Sequence, residues 1–515
     1  MKEGKKEGIR FAIKKSASEL VIFRECQVYG SAWAPIVLVR LVFCSHLALD
    51  PHLAAYNSSP SLSQMAPVMT PILSSSLKAS EELTRQLSSS SVHRLADFIT
   101  RSGSSSSIVQ SPASSPEVLK EEGLPHVKKK LEPRHYKTPE FAVRLLKILS
   151  SLQVDQWSDT RVNPEDVNIR KISGALTNAV FFVSHKTNKR VPTLLLRIYG
   201  SSSGSLISRP RELHILHKLS SVYRIGPLLY GTFENGRIEQ YFKSTTLTES
   251  DIREPTVSRW IGARMAEFHS VDIEVVSPPS DATPTGWELS VKKCVSSWMP
   301  AAHKVLSLPG VSHAVRQELD LARFEKEWSI YVQWAAKVQD KHSGSKVVFA
   351  HNDTQYGNLL KLEDSNEVAD EHRQLIVVDF EYAGPNPAAY DIANHFHEWT
   401  ANYHGDTPHL LNRARYPTFA ERRNFYSAYI HHSNMLGEDP VYDKSEFEQL
   451  IAALDYQVRI WSPASHGMWA IWGIVQGRED VENGVEEPEF DYIGYAKGRM
   501  ALFRQEIVDL GVIQR

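Results

Sequence analysis

Between residues 167 and 242, five short runs of β-branched and aromatic residues are interrupted by a single helical stretch, and beyond Asp251 the text turns almost wholly helical. The runs are 167–171, 179–185, 193–199, 227–232 and 236–242, parted by polar turns, and apolar residues recur at helical spacing over 211–220. After Asp251, strand character returns only at 346–350 and 375–380. That order predicts an α+β fold in two lobes, a small β-rich one (166–243) followed by a large helical one (244–515), without an internal repeat.

The flanking text is of another kind. From 57 to 116 it is rich in Ser and Pro, with Ser88–Ser91 and Ser104–Ser107 as runs, and it cannot bury enough apolar surface to offset the entropy of ordering. Residues 1–122 therefore read as a disordered extension, within which Ser111-Pro112 and Ser115-Pro116 are either phosphorylation sites or plain linker. The apolar run 32–49 is broken by Arg40 and His46, which makes stable membrane insertion costly, and Glu3 and Glu7 do not suit a presequence. The first fifty residues are then a poorly ordered extension, or text upstream of the true start. Residues 123–165 read as a short element ahead of the β-rich lobe, with a helix opened by Thr138 as N-cap and Pro139 in its first turn.

Composition excludes several classes. With 58 Lys and Arg against 60 Asp and Glu, the formal charge is −2, so no basic field attracts nucleic acid. Three scattered cysteines, Cys26, Cys44 and Cys294, form neither a disulfide framework nor a zinc motif, as expected of a cytoplasmic protein.

The chemistry is concentrated in His351-Asn-Asp353-Thr-Gln355-Tyr-Gly-Asn358, which has the H-x-D-x-x-x-x-N spacing of a kinase catalytic loop. Phosphoryl transfer needs an acceptor for the attacking hydroxyl's proton, a part Asp353 can play, and an oxygen ligand for magnesium, which the Asn358 amide can supply. Taken alone, the segment is also compatible with an Asx-rich turn between helices. About twenty residues further on, the apolar strand Ile376-Val-Val ends in Asp379-Phe-Glu381, where strand-end carboxylates can hold the metal that bridges nucleotide phosphates. In the β-rich lobe, 172–178 forms a small-residue turn able to aim backbone N–H groups at phosphates. Arg197, in Leu-Leu-Arg-Ile-Tyr, stands where a kinase carries its strand lysine; it can pair a phosphate with Glu212 orienting it, or form a structural Arg/Glu pair.

These segments, with Ser173-Gly-Ala-Leu-Thr-Asn178, Ile225-Gly-Pro-Leu-Leu-Tyr-Gly231, Arg237-Ile-Glu-Gln-Tyr-Phe242, Tyr390-Asp-Ile-Ala-Asn-His-Phe-His-Glu-Trp399 and Trp469-Ala-Ile-Trp-Gly-Ile-Val-Gln476, resemble the choline/ethanolamine kinase family, most closely its fungal choline kinases. The resemblance spans about 124 to the C-terminus. It implies a protein-kinase-like fold, ATP as co-substrate, Mg2+ as cofactor, choline as acceptor and phosphocholine for phosphatidylcholine synthesis as product. By position it implies Asp353 as catalytic base and Asn358 and Asp379 as magnesium ligands. Asn178 and Arg197 fall on the nucleotide phosphate side, with Gln240 to Phe242 at the adenine hinge. Gln355, Glu381, Tyr403, Trp469, Trp472 and Tyr495 would line the acceptor pocket. A homodimer is also suggested.

A choline pocket suits these residue types. A quaternary ammonium has no N–H to donate, so aromatic faces and a nearby negative charge must recognise it. Trp469 and Trp472 fall on one helix face, and Trp399, Tyr403, Glu381 and Tyr495 add further candidates. Asp391 is expected to brace the catalytic loop; His395 and His397 lack a third ligand at useful spacing and read as groups supporting the site or packed in the core rather than as metal ligands. An ethanolamine or dual-specificity kinase is the nearest alternative. A catalytically silent scaffold would have lost one of Asp353, Asn358 or Asp379, and all are present.

Overall fold

The computed structural model describes residues 9–15, 20–28, 32–41, 120–158, 162–173, 178–199, 208–277, 282–283, 286–341, 344–363, 370–436 and 443–514. The chain divides into two units, 1–74 and 75–515. In the first, β1 (Ile9–Lys15), β2 (Leu20–Val28) and β3 (Ala32–Leu41) pair antiparallel in that order. The expectation of disorder over 1–122 thus meets strand structure across these segments, which are dense in Ile, Val and Phe. The Ser-rich stretch, with Ser111 and Ser115, lies outside the described residues.

The second unit opens with β4 (His126–Val127) and α1 (Pro139–Ser151). Thr138 caps α1 by accepting the Phe141 N–H at 3.3 Å, and Pro139 occupies the first turn, where an N–H has no helical partner to lose. Then come β5 (Val167–Ser173), β6 (Asn178–His185), β7 (Leu194–Tyr199), α2 (Arg209–Lys218), β8 (Leu229–Phe233) and β9 (Gly236–Gln240). They form one sheet in the order β4-β8-β9-β7-β6-β5, with β4 parallel to β8 and the other pairs antiparallel. The segment around Leu124 is therefore an edge strand. The apolar stripe of α1, Phe141, Leu145, Ile148 and Leu149, joins Phe181, Val183, Leu194, Leu196 and Ile198 in a core of its own, each large side chain contributing about 2 kcal/mol by burial.

The helical lobe begins with β10 (Ser244–Thr246) and α3 (Pro255–His269), and continues through α4 (Ser290–Leu306) and α5 (Leu321–Lys341). Next stand β11 (Val347–Ala350), β12 (Leu359–Leu362), β13 (Leu375–Val377), β14 (Gly384–Pro387) and α6 (Ala388–Glu398). The chain ends with α7 (Phe419–Leu436), α8 (Lys444–Gln476) and α9 (Tyr492–Asp509). Two small antiparallel sheets, β10-β12-β13 and β11-β14, place the loops that follow β11 and β13 side by side. The expected strand 375–380 stops at Val377 because Asp379 turns into the left-handed region, φ 68°. β14 was not anticipated: Gly-Pro-Asn-Pro contains no strand former, and its pairing with β11 alone makes it a strand. Among the described residues, no helix is long and apolar enough to cross a membrane.

Candidate active site

The loop after β11 is held in shape from beneath by α6. Asp391 accepts the backbone N–H groups of His351 (2.9 Å) and Asn352 (2.8 Å), and His269 of α3 donates to the same carboxylate at 3.0 Å. The His395 Nδ1–H donates to the Thr354 carbonyl at 2.8 Å, and the Asn394 amide donates to that of Asn352 at 3.1 Å. Asp391, Asn394, His395 and Glu398 recur at helical spacing on one face, so a single helix sets the loop's geometry. Although burial alone would raise it, these donors, His269 foremost, hold the Asp391 carboxyl below its ordinary range. Bracing by Asp391 was expected, and His395 proves to be a second brace.

His351 closes the loop on the following strand. Its Nε2–H donates to the Val378 carbonyl at 3.1 Å while Nδ1 accepts the Asp353 N–H at 3.2 Å, the pattern of a neutral ring, which burial favours by lowering its pKa. Phe380 stacks on Phe268 (5.7 Å between ring centres) and meets His351 edge-on at 5.5 Å. Gly226 lies so close to Phe380 that a Cβ there would sit 2.7 Å from the ring, which ties the β-rich lobe to this junction. The Val378 N–H donates to the Asn358 carbonyl at 3.0 Å, so the loop and the Asp379 strand end are stitched together.

On this frame the acidic groups converge. The Asn358 amide donates to the Asp353 carbonyl and to its Oδ2, both at 2.9 Å. Burial, then repulsion from Glu398 and Asp379, drives the Asp353 carboxyl well above its ordinary range. Asp379 is pushed to about 6 by burial, against the pull of Arg197, and Glu381 is raised by burial and by Asp379, Glu212 and Asp353. A cation would relieve the repulsion among these three carboxyls, which otherwise hold on to protons, and the Asn358 Oδ1, a buried acceptor with no hydrogen-bond partner, is free to bind one. An oxygen-only set of amide and carboxylates fits Mg2+.

The β-rich lobe contributes Arg197, which lies close enough to Asp379 to act on its charge. Its Nε donates to Glu239 at 3.3 Å, whereas Glu212 is held by Arg237 at 2.8 Å. The carboxylate that orients Arg197 is therefore Glu239, not the expected Glu212. β7 and β9 run antiparallel with Arg197 opposite Arg237, and Glu239 sits on the same face two residues on, nearer than α2. Gln240 ends β9, its N–H donating to the Leu228 carbonyl at 2.8 Å, and Phe242 lies between β9 and β10, where the two lobes' sheets connect. Asn178 begins β6, opposite Tyr199; the turn 174–177 before it lies outside the described residues.

An aromatic box adjoins Asp353. Trp469 and Trp472 of α8 meet edge-to-face at 5.2 Å, and Trp472 meets Tyr495 of α9 at 6.0 Å. Tyr382 joins them 5.4 Å from Trp469, and Tyr403 connects through Phe490 (6.5 Å), which lies 5.6 Å from Tyr495. The polar atoms of these rings are occupied. Trp472 Nε1 donates to the Tyr382 hydroxyl (2.9 Å), Trp469 Nε1 to Asn394 (2.7 Å), Tyr403 to Glu398 (2.6 Å), and Arg499 Nε to the Tyr495 hydroxyl (3.0 Å). Glu398 also accepts from the fully buried Arg499 at 3.3 Å and is near enough to act on Asp353. Gln355 is buried in the catalytic loop, its carbonyl accepting the Asn358 N–H at 3.1 Å.

The sequence model of the family described as choline/ethanolamine kinase matches residues 169–504. The chain belongs to that family. The choline kinase of Schizosaccharomyces pombe is 36% identical over 422 residues, covering 73% of this chain and 90% of its own; that of Saccharomyces cerevisiae is 29% identical, covering 72% and 76%. The crystal structure of choline kinase from Cryptosporidium parvum Iowa II superposes with a TM-score of 0.56 at 23% identity over 72% of this chain and 97% of that one, so the protein-kinase-like fold is shared.

Within this choline/ethanolamine kinase, the structure adds residues that the sequence pattern does not mark and removes one that it does. Tyr382, Glu398, Phe490 and Arg499 belong to the box. Glu398 stands inside a quoted motif, but its helical phase to Asp391 is the signal that could have marked it. Trp399, considered with the box residues, instead turns away: it is 1% exposed, donates to His395 at 3.3 Å and lies beneath Arg253.

Proposed function

We propose that this protein is a choline kinase, transferring the γ-phosphoryl group of ATP to the choline hydroxyl to give phosphocholine and ADP, the first step of the CDP-choline route to phosphatidylcholine. The observation that carries the substrate is the state of the aromatic box: its hydroxyl and indole N–H groups are turned onto one another and onto Asn394, Glu398 and Arg499, leaving ring faces and buried negative charge. That surface suits a quaternary ammonium, which needs ring faces and negative charge but no acceptor, whereas a primary ammonium would have to find acceptors for its three N–H groups among carboxylates already engaged with Tyr403, Arg499 and Asn358. Trp469, Trp472, Tyr495, Tyr403 and Glu381 line the pocket in this reading, with Tyr382 and Glu398 added, and Gln355 lies on the loop side.

Asp353 accepts the hydroxyl proton as the oxygen attacks phosphorus, and its raised pKa makes it the stronger base for that step. Arg197, oriented by Glu239, pairs the phosphates, while Asn178 and the hinge from Gln240 to Phe242 contact the nucleotide. Asn358 and Asp379 would hold Mg2+, which would supply positive charge to neutralise the phosphates. Near-neutral charge and three scattered cysteines support a cytoplasmic enzyme, and the family resemblance supports a homodimer.

Magnesium-dependent ADP release with choline and ethanolamine as competing acceptors tests this reading. The expected result is a kcat/KM for choline about tenfold or more above that for ethanolamine; the reverse preference keeps the mechanism and overturns the substrate. In the same assay, Trp472→Ala raises the KM for choline by about 10–30-fold, the loss of one desolvated cation–π face of about 2 kcal/mol, with the KM for ATP nearly unchanged. Equal weakening of both substrates would assign the ring to the core instead.

A further inference from the structure

On the far side of α3 from the catalytic loop, three elements bring Glu267, His372 and His432 together. Glu267 lies on α3, His372 in the turn Glu371–Gln374 just ahead of β13, and His432 on α7. Glu267 Oε1 stands 2.9 Å from His372 Nε2 and 3.5 Å from His432 Nε2. Ligands bound tetrahedrally to zinc at about 2.0–2.1 Å lie roughly 3.3 Å from one another, so these separations bracket the required spacing.

Three further observations favour an ion. His432 Nε2 is buried and its nearest acceptor, Glu267 Oε1, stands at 3.5 Å, too far for a good hydrogen bond. The two imidazoles stand at 67° with centres 4.5 Å apart, so one point can lie in the planes of both rings, as coordination demands. Arg264 takes the other oxygen of Glu267, leaving Oε1 for the histidines. Arg373 also reaches Oε1 at 3.2 Å, but its side chain is 56% exposed, so the pair is weak and readily displaced. A second group of the same composition, His397, His466 and Glu506, lacks this geometry. Its rings are stacked 3.8 Å apart at 14°, so their planes do not meet anywhere near ligand distance of both nitrogens, and Ser465 and Ser462 occupy both nitrogens of His397.

We propose that Glu267, His372 and His432 form a divalent transition-metal site of the two-histidine, one-carboxylate type, with water in the remaining position. It is separate from the magnesium site, because nitrogen donors select zinc-like ions over magnesium. Its place in the fold gives it a structural role, since it clamps the turn that leads through β13 to Asp379 onto α3, whose His269 supports Asp391.

The test uses the full-length protein with zinc chloride competing against a chromophoric chelator, in excess magnesium. The expected result is one zinc per chain, bound about 100-fold more tightly than by His432→Gln or His372→Gln, with Asp379→Asn retaining full affinity. Wild-type affinity in a folded His432→Gln or His372→Gln variant overturns the site, as does loss of binding in Asp379→Asn. If both histidine variants fail to fold, cobalt(II) titration of the wild type decides. An intense visible band from four-coordinate cobalt supports the site, and the weak spectrum of an octahedral ion refutes it.

Discussion

Asp353→Asn lowers kcat by about 10²–10⁴-fold while leaving the KM for ATP within about threefold of wild type. The side chains are nearly the same size, and the loop that carries position 353 is shaped by bonds the substitution does not touch: Asp391 to the His351 and Asn352 N–H groups, and His395 to the Thr354 carbonyl. What changes is basicity. Burial and repulsion from Glu398 and Asp379 give the native carboxylate an unusual affinity for a proton, and an amide oxygen has almost none. The KM for ATP is insulated because the nucleotide's expected partners, Arg197 and the hinge, belong to the other lobe. Turnover with saturating choline and magnesium checks this. Retention of more than about a tenth of wild-type kcat would exclude Asp353 as the base and leave proton transfer to solvent.

The order of strands and helices was legible because a β-rich lobe and a helical lobe differ in hydrophobic period, a local property. The catalytic loop and the Asp379 strand end were legible because their spacing is dictated by chemistry within a few residues. Contacts between distant segments were not. Glu212 precedes Glu239 in the chain and sits on the helix where a kinase-like pairing would place it, but the antiparallel register of β7 and β9 sets Glu239 beside Arg197. Tyr382 stands inside a recognised motif, Asp379-Phe-Glu-Tyr-Ala-Gly, yet only the packing of α8 against its ring makes it part of the box. Trp399 erred in the other direction, since a tryptophan at the end of a motif carries no sign of which way it faces; the His395 ring and Arg253 decide that. β14 lacked any local signal because its pairing is wholly a product of the fold.

Asp379→Asn lowers turnover by more than about 10³-fold and yet makes the magnesium-free protein more stable at neutral pH. The first effect follows from replacing the charged oxygen of a proposed magnesium ligand by a neutral one beside Asn358. The second follows from linkage. Asp379 has a pKa of about 6 in the folded chain against about 3.9 in an unfolded one, so between these values the folded state holds the extra proton, and stability falls as pH rises through that window. Above pH 6 the native carboxylate costs on the order of 2–3 kcal/mol, which the amide removes. The backbone permits the change, because Asn tolerates the left-handed φ of 68° about as well as Asp does. Melting temperatures at pH 5 and pH 8 without magnesium check the prediction: the wild type loses stability between them and the variant loses less. Magnesium should then raise the wild-type value more than the variant's, since the ion neutralises a repulsion that the variant no longer carries. A variant less stable than wild type at pH 8, with the same pH dependence, would show that Asp379 is satisfied by Arg197 alone and that the acidic cluster is not built around a cation.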